Sequence, residues 1–201
     1  MIFVVDTSSA LSAVAVIGPD GVVVAEETHE SGRTFDLPGR FRALTAGLTL
    51  TKIAVATGPG SFTGLRVGVS FGLGVAIGLE IPTVALGTLH IQAARSAEPV
   101  VAVAEAGRGR VYALAPGSDP QIRAPQELPK HLPVVGWLRP ATEALLRAAG
   151  LDFVPETELS TFGAAASRVI ESASEVAYGS VKLEYMQGLG IASARNRWTR
   201  T

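Results

Sequence analysis

Cysteine is absent from the 201-residue chain. This absence excludes disulfides, thiolate metal sites and cysteine nucleophiles, and it is compatible with a cytosolic protein. Charged residues make up only 17% of the chain, and the net charge is −1 at pH 7. A broad electrostatic attraction for nucleic acid or for an anionic membrane is therefore not expected of the whole chain.

Targeting and membrane signals are also missing. The opening apolar run, residues 2–5, has no basic segment before it and meets Asp6 at once, which is not the pattern of a signal peptide. The glycine-rich apolar stretch between Arg66 and Glu80 has 13 uncharged residues, whereas a membrane span needs about 20. We therefore expect no membrane segment and a cytoplasmic location.

The usual motifs of hydrolases are lacking as well. Histidines 29, 90 and 131 lie in unrelated segments, and no paired spacing such as His-Glu-x-x-His occurs. No Gly-x-Ser-x-Gly elbow is present either. Zinc hydrolysis, serine hydrolysis and peptidase activity therefore have little support, and we expect no metal site.

The first half of the chain has the pattern of an α/β unit. Residues 2–5 form a short apolar run typical of a buried strand, and residues 10–17 and 22–27 flank a Gly-Pro-Asp-Gly turn, which indicates a hairpin. Residues 36–50 follow the helical period. The apolar stripe of this helix consists of Leu37, Phe41, Leu44 and Leu48.

A glycine-rich segment follows the next predicted strand, residues 52–57. Its opening is GPGSFTG, residues 58–64, and large apolar residues then alternate with small ones as far as Leu79. The alternation has the period of a strand, but its length and its position after a strand and a loop favour a helix. Further along, residues 81–85 read as a strand and 88–96 as a helix.

The second half repeats this order in a degenerate form. Residues 100–105 and 110–115 predict a hairpin, and residues 133–137 predict a strand. Two helices are expected over residues 140–149 and 160–173. Asp6 and Glu105 each end the first strand of their half, so we predict an internal duplication with an N-terminal lobe over 1–97 and a smaller lobe over 98–201.

Two segments carry candidate chemistry. Asp6, followed by Thr7, Ser8 and Ser9, has the residue types that orient a metal-bound water or a phosphate, and it equally suits the cap of a turn. The loop 58–64 exposes glycine amides ahead of a helix and could bind an anion, or it could be a tight turn whose Ser61 or Thr63 caps the helix. It is neither a Walker A loop nor a Gly-x-Gly-x-x-Gly loop.

The C-terminal segment 195–200, RNRWTR, holds three arginines around Trp198. Such a segment could contact RNA, or it could be a solvated tail.

These motifs resemble the bacterial TsaB (YeaZ) family. The specific signature is GPGSFTGLRVGV at residues 58–69, and DTSS after the first strand is the second. The segment VAVAEAGRGRVYAL resembles the family's VxAxDARxGEVY, with Glu105, Gly107 and Arg110 departing from it. The signature loop comprises Gly58, Pro59, Gly60, Ser61, Phe62, Thr63, Gly64 and Arg66.

The resemblance implies an actin-like and sugar-kinase-like α/β fold with two related RNase H-like lobes. It implies a non-catalytic scaffold that pairs with its paralogue TsaD in making threonylcarbamoyladenosine next to the anticodon of ANN-decoding tRNAs. TsaE, an ATPase, would dock on the pair, TsaC would act upstream, and tRNA would be reached indirectly through the complex. No cofactor is implied beyond ATP–Mg bound weakly or at the complex interface.

The resemblance also implies where the functional residues lie. A vestigial nucleotide site would comprise Asp6, Thr7, Ser8 and Glu105. Pairing with TsaD, or with a second copy when the chain is alone, would use the helix over 36–50 and the helix after the signature loop. The residues assigned to this interface are Leu37, Phe41, Leu44, Gly64, Leu65, Gly68, Val69, Gly72 and Leu73. An active nucleotide phosphohydrolase or kinase that uses Asp6 is the alternative.

Overall fold

Two β-sheets and five α-helices make up the computed structural model, which describes residues 1–32, 34–177 and 181–183. The first sheet contains β1 (Ile2–Asp6), β2 (Leu11–Ile17), β3 (Val23–Glu30), β4 (Lys52–Gly58), β5 (Thr83–Gly87) and β10 (Glu175–Val176). The second contains β6 (Val101–Gly107), β7 (Arg110–Leu114), β8 (Gln121–Arg123) and β9 (Val134–Val135). The helices are α1 (Leu37–Thr45), α2 (Phe62–Leu79), α3 (Thr88–Ala93), α4 (Pro140–Ala148) and α5 (Phe162–Ser172).

The first sheet has the strand order β10-β5-β4-β1-β2-β3. The strands β1, β4 and β5 run parallel to one another, while β2, β3 and β10 are antiparallel to their neighbours. Ile2 pairs with Ile17 on one side and with Lys52 on the other. The central strands are apolar on both faces because helices cover both faces.

The helices and sheets stack in layers. On one face of the first sheet, α1 and α2 enclose a core that includes Phe3, Val5 and Val69. On the other face, α3 and α5 pack on the first sheet, and α3 also contacts the second, with Ile91 in the core of the first sheet and Leu89 in that of the second. The helix α4 covers the far side of the second sheet. The result is a mixed α/β fold with two sheets.

The end of the described chain returns to the first sheet. Phe162 of α5 lies in the core of that sheet, and β10 pairs with β5 at its edge. The predicted lobe boundary near residues 97–99 falls between α3 and β6. The division of the chain into 1–97 and 98–201 itself stays a prediction.

Most predicted elements are confirmed, with differences at their ends. The segment after Thr63 is helical, as predicted, whereas the helix expected over 36–50 ends at Thr45, because Gly47 adopts a left-handed φ of 74°. The sequence pattern did not predict the short strands β8 and β10 or the two 3-10 turns, Pro125–Glu127 and Glu156–Glu158. The segment 195–200 lies outside the described residues.

Candidate functional site

A cleft of about 890 Å³ opens between the first turn of α2 and the second sheet. One wall is formed by the β1–β2 turn and the signature loop, which contribute Ser8 and Ser61 among others. The opposite wall is formed by the β6–β7 turn and the start of α4, including Glu105 and Thr142. The size is typical of a ligand site.

The signature loop docks α2 on the end of β1. Ser61 caps α2, since its hydroxyl accepts a hydrogen bond from the amide of Gly64 at 3.3 Å, and its own amide donates to the carbonyl of Ser8 at 2.7 Å. Thr7 completes the junction, because its hydroxyl donates to the carbonyl of Gly64 at 2.6 Å. Of the two readings of this loop, the helix cap is therefore the one that the contacts support.

The glycines of α2 that we assigned to a partner interface face the chain's own sheet. A Cβ at Gly64 would overlap the carbonyl oxygen of Thr7, and one at Gly68 would lie 2.6 Å from the Thr7 hydroxyl. A Cβ at Gly72 would overlap a methyl group of Val55. These glycines let α2 approach β1 and β4 closely, so their assignment to an intermolecular surface was wrong.

Most of the large residues assigned to that interface are also turned inward. Leu37, Leu65 and Val69 are buried in the core beneath α1 and α2. Phe41, Leu44 and Leu73 are half-buried against the same core. The reason is the helical period, which places positions 65, 68, 69, 72 and 76 on the sheet side of α2.

The opposite side of α2 is apolar and exposed. We call Val67, Ser70, Gly74, Ile77 and Gly78 the outer face of α2; all five are exposed. Nothing lies within 4 Å of a Cβ built on either of its glycines. Val67 is 49% exposed and Ile77 56% exposed, so this face presents two large aliphatic side chains together. This face could not be identified from the sequence, because glycines with the same helical spacing occur on both sides of the helix.

By length and composition, α2 is the one helix of the described residues that could cross a membrane. Its inner face, however, packs on β1 and β4 through residues such as Val69 and Ala76. Its apolar composition therefore serves packing on the sheet on one side, while the other side is exposed.

Asp6 lies fully buried at the end of β1. One carboxylate oxygen accepts a hydrogen bond from the amide of Ser8 at 2.8 Å, and the other has no hydrogen-bond partner among the described residues. Burial raises the pKa of this carboxyl above its ordinary value, and the hydrogen bonds from Ser8 oppose the rise only in part. Thr7 and Ser8 line the cleft, but Asp6 does not.

Glu105 lines the cleft, and its carboxylate caps α4. It accepts hydrogen bonds from the amide of Arg139 at 2.9 Å and from the hydroxyl of Thr142 at 2.8 Å, and it lies 3.5 Å from the Arg139 guanidinium. A carboxylate at this position stabilises the amino end of a helix. Within the described residues, no group of three or more histidines and carboxylates could hold a metal ion.

The cleft contains a cluster of three arginines that the sequence did not predict. Arg108 and Arg110 come from the β6–β7 turn, and Arg139 precedes α4. They are 31 positions apart at most, in segments without a shared motif, so only the fold brings them to one wall. Arg66 of the signature loop lies over the Phe62 ring, 3.6 Å from its centroid.

Parts of the chain are similar to proteins that are named for tRNA modification. The family model described as TsaD, tRNA N6-adenosine threonylcarbamoyltransferase, matches residues 43–122. Two curated proteins named tRNA threonylcarbamoyladenosine biosynthesis protein TsaB are similar. The Escherichia coli protein is 40% identical over 76 residues, which are 34% of this chain and 33% of that one. The Bacillus subtilis protein is 32% identical over 120 residues, which are 55% of this chain and 52% of that one.

The matched segments thus span about a third to a half of these curated relatives. Solved structures agree in fold over nearly the whole chain. YeaZ from Pseudomonas aeruginosa superimposes with a TM-score of 0.70 at 21% identity, covering 92% of this chain and 98% of that one. A protein described as similar to the peptidase YeaZ gives a TM-score of 0.69 at 22% identity, with 92% and 99% covered.

Proposed function

Since this chain is a relative of the TsaB (YeaZ) proteins, we propose that it is a non-catalytic scaffold and activator subunit for tRNA threonylcarbamoylation. In this proposal it pairs with a TsaD subunit, which transfers the threonylcarbamoyl group to the adenosine next to the anticodon of ANN-decoding tRNAs. The actin-like character of the fold is part of the proposal. The observation that carries it is the sequence similarity to proteins named for this modification.

The state of the two carboxylates supports a role without catalysis. Asp6 is buried outside the cleft lining, with its charge opposed by desolvation. Glu105 is engaged by the amino end of α4. A phosphotransfer site needs carboxylates that face the ligand and can hold Mg²⁺. Neither residue has this arrangement, so a resident cofactor is not part of the proposal, and ATP–Mg would bind weakly or at the complex interface.

The outer face of α2 supports a role in pairing. Its small residues Ser70, Gly74 and Gly78 recur every four positions, so a partner helix could approach the backbone closely. Val67 and Ile77 flank them and supply apolar area. We assign pairing with TsaD to this face, and pairing of two copies to the same face when TsaD is absent. This replaces the inward-facing stripe of Gly64, Gly68 and Gly72.

The alternative, an active nucleotide phosphohydrolase or kinase, is favoured by one observation. The cleft has room for a nucleotide and receives the amino end of α2. This function would need Asp6 to turn toward the ligand. ATP–Mg turnover by the purified chain that is lost in Asp6→Asn would establish it in place of the scaffold.

The test is a reconstituted reaction with tRNA, TsaC, TsaD, TsaE, threonine, bicarbonate and ATP. It would be run without the chain, with it, and with Asp6→Asn, Gly74→Leu or Gly74→Ala. We expect modification to require the chain, to survive Asp6→Asn, to fail with Gly74→Leu and to survive with the smaller Gly74→Ala. Full modification without the chain would refute the proposed function.

The choice of variant matters in this test. A bulky residue at Gly68, the change that a sequence-based interface would suggest, would collide with Thr7 within the chain and damage the fold. Gly74 has open space around it, so a larger side chain there alters the surface and leaves the core intact.

A further inference from the structure

The wall of the cleft formed by the second sheet is basic. We call Arg108, Arg110 and Arg139 the arginine rim. Arg108 and Arg110 are exposed, and the side chain of Arg139 is 75% exposed. No ion pair within the described part of the chain includes Arg108 or Arg110. These two charges are therefore available to a ligand.

Within the lining, Glu105 pairs with Arg139 at 3.5 Å, and Arg108 and Arg110 keep their charges unpaired among the described residues. Glu105 is the one acidic residue among the described residues that line the cleft, and its carboxylate is bound to the start of α4. Across the cleft lies the amino end of α2, which carries a partial positive charge, next to the hydroxyl groups of Ser9 and Thr63. Both walls thus favour a ligand with several negative charges.

The exposure of the arginines distinguishes between kinds of anion. A pocket for a small ligand encloses most of that ligand's surface. Here the cations stand at the mouth, beside Phe62, which is 48% exposed and carries Arg66 over its ring. Exposed arginines along a groove are typical of sites that hold a nucleic-acid backbone.

From this arrangement, and resting on the proposed function, we propose that the RNA substrate lies across the arginine rim, with its phosphates bound by Arg108, Arg110 and Arg139. The chain then contacts tRNA directly and helps to position it. This goes beyond the scaffold role, in which tRNA is reached only through the complex. The net charge of −1 is no obstacle, because the positive charge is local.

The first test is tRNA binding by the full-length chain across a range of KCl concentrations. The rim variant is Arg108→Asn with Arg110→Gln; Asn suits position 108 because its φ is 53°. The matched control is Arg123→Ala with Lys130→Ala, which removes two exposed positive charges outside the cleft. Both proteins should keep the thermal unfolding midpoint of the wild type.

We expect the rim variant to lose affinity by about tenfold or more, since each charge-assisted contact contributes substantially. The slope of log K against log salt should fall by about 1.4 to 1.8, as two phosphate contacts are lost. The control should keep the wild-type slope. Equal affinity and slope in all three proteins, or no tRNA binding by the wild type, would refute the inference.

Two further experiments distinguish direct tRNA binding by the rim from the proposed scaffold function and from binding of ATP. In the reconstituted reaction, the rim variant should have a higher KM for tRNA and an unchanged kcat. If the reaction needs the chain and the KM is unchanged, tRNA binding by the rim is refuted and the proposed function stands. If the reaction does not need the chain, the proposed function is refuted, and the binding assay still shows whether the rim binds tRNA. ATP binding that depends on the rim, with tRNA binding unaffected, would assign the cleft to a small phosphorylated ligand and refute the inference.

Discussion

The two faces of α2 carry similar residues but have different surroundings. On the inner face, Gly64, Gly68 and Gly72 recur every four residues and allow the helix to pack closely on β1 and β4. On the outer face, Ser70, Gly74 and Gly78 recur with the same spacing and meet open space. Small residues at this spacing therefore indicate close approach of another backbone, but they do not indicate whose backbone it is.

The comparison also explains an ambiguous pattern. Large apolar residues alternate along α2 as they would in a strand, yet the segment is helical. A helix wound through this alternation buries Leu65 and Val69 and exposes Val67 and Ile77. Both faces become apolar, and an exposed apolar helix face is a common feature of interaction sites. The partner of the inner face is the sheet, and that of the outer face is the proposed subunit.

The sharpest test of the inner face is Gly64→Ala. Because the added methyl group would overlap the backbone carbonyl of Thr7, which cannot rotate away, we expect a loss of about 3 kcal/mol of unfolding free energy. Urea unfolding would measure it. A stability equal to that of the wild type would mean that α2 does not dock on β1 as closely as described.

The matching test of the outer face is Gly74→Leu. Its stability should stay near that of the wild type, since nothing surrounds the position. Its affinity for TsaD, or for a second copy, should fall by about thirtyfold, because a bulky residue holds the helices apart. Sedimentation or titration calorimetry would give the dissociation constant. Unchanged pairing would remove the outer face as the interface.

The substitution Asp6→Asn tests the buried carboxyl at the end of β1, the strand beneath the inner face of α2. The native carboxyl has its pKa raised by burial, so above the ordinary pKa of 3.8 the folded state binds more protons than the unfolded state. Stability should fall as the pH rises from 3.8 to the raised pKa, and then level off. The variant should be more stable than the wild type by about 1–2 kcal/mol at neutral pH, because no charge is buried.

The measurement for Asp6→Asn is urea unfolding at about pH 4 and about pH 7, on either side of the expected fall in stability. The gain should be smaller at the lower pH, where the unfolded carboxyl is also partly protonated. An equal gain in unfolding free energy at both pH values would show that burial does not raise the pKa of Asp6.

The smallest expected effect is that of Gly74→Ala. Alanine is the better helix former, and the position is open, so the unfolding free energy should rise by about 0.5–1 kcal/mol. The same substitution on the inner face, at Gly64, should act in the opposite direction. Urea unfolding of the pair, measured together, would show whether the two faces differ as described.

Much of the fold was predictable from local patterns. The apolar runs of β1 and β4, the turn between β2 and β3, and the proline that opens α4 are each encoded within a few residues. The early end of α1 was harder to predict from the sequence, since Leu48 still fits the helical stripe while Gly47 interrupts it. The strand β10 has two residues and forms only because β5 offers a free edge.

The candidate site was predictable only in part. The sequence pointed to Thr7, Ser8 and Glu105, and all three line the cleft. It did not reveal that Asp6 lies outside the lining or that the Glu105 carboxylate caps α4, because both facts depend on segments distant in the chain. The arginine rim combines two turns that no local pattern connects.

By itself, the sequence determined the strands and helices, the signature loop and the resemblance to the TsaB family, because each depends on residues that are neighbours in the chain. Only the tertiary structure decided which face of α2 is free and which charges share the cleft. The physical reason is that burial depends on what packs against a residue, and the partners of Gly64, Glu105 and Arg139 come from elsewhere in the fold.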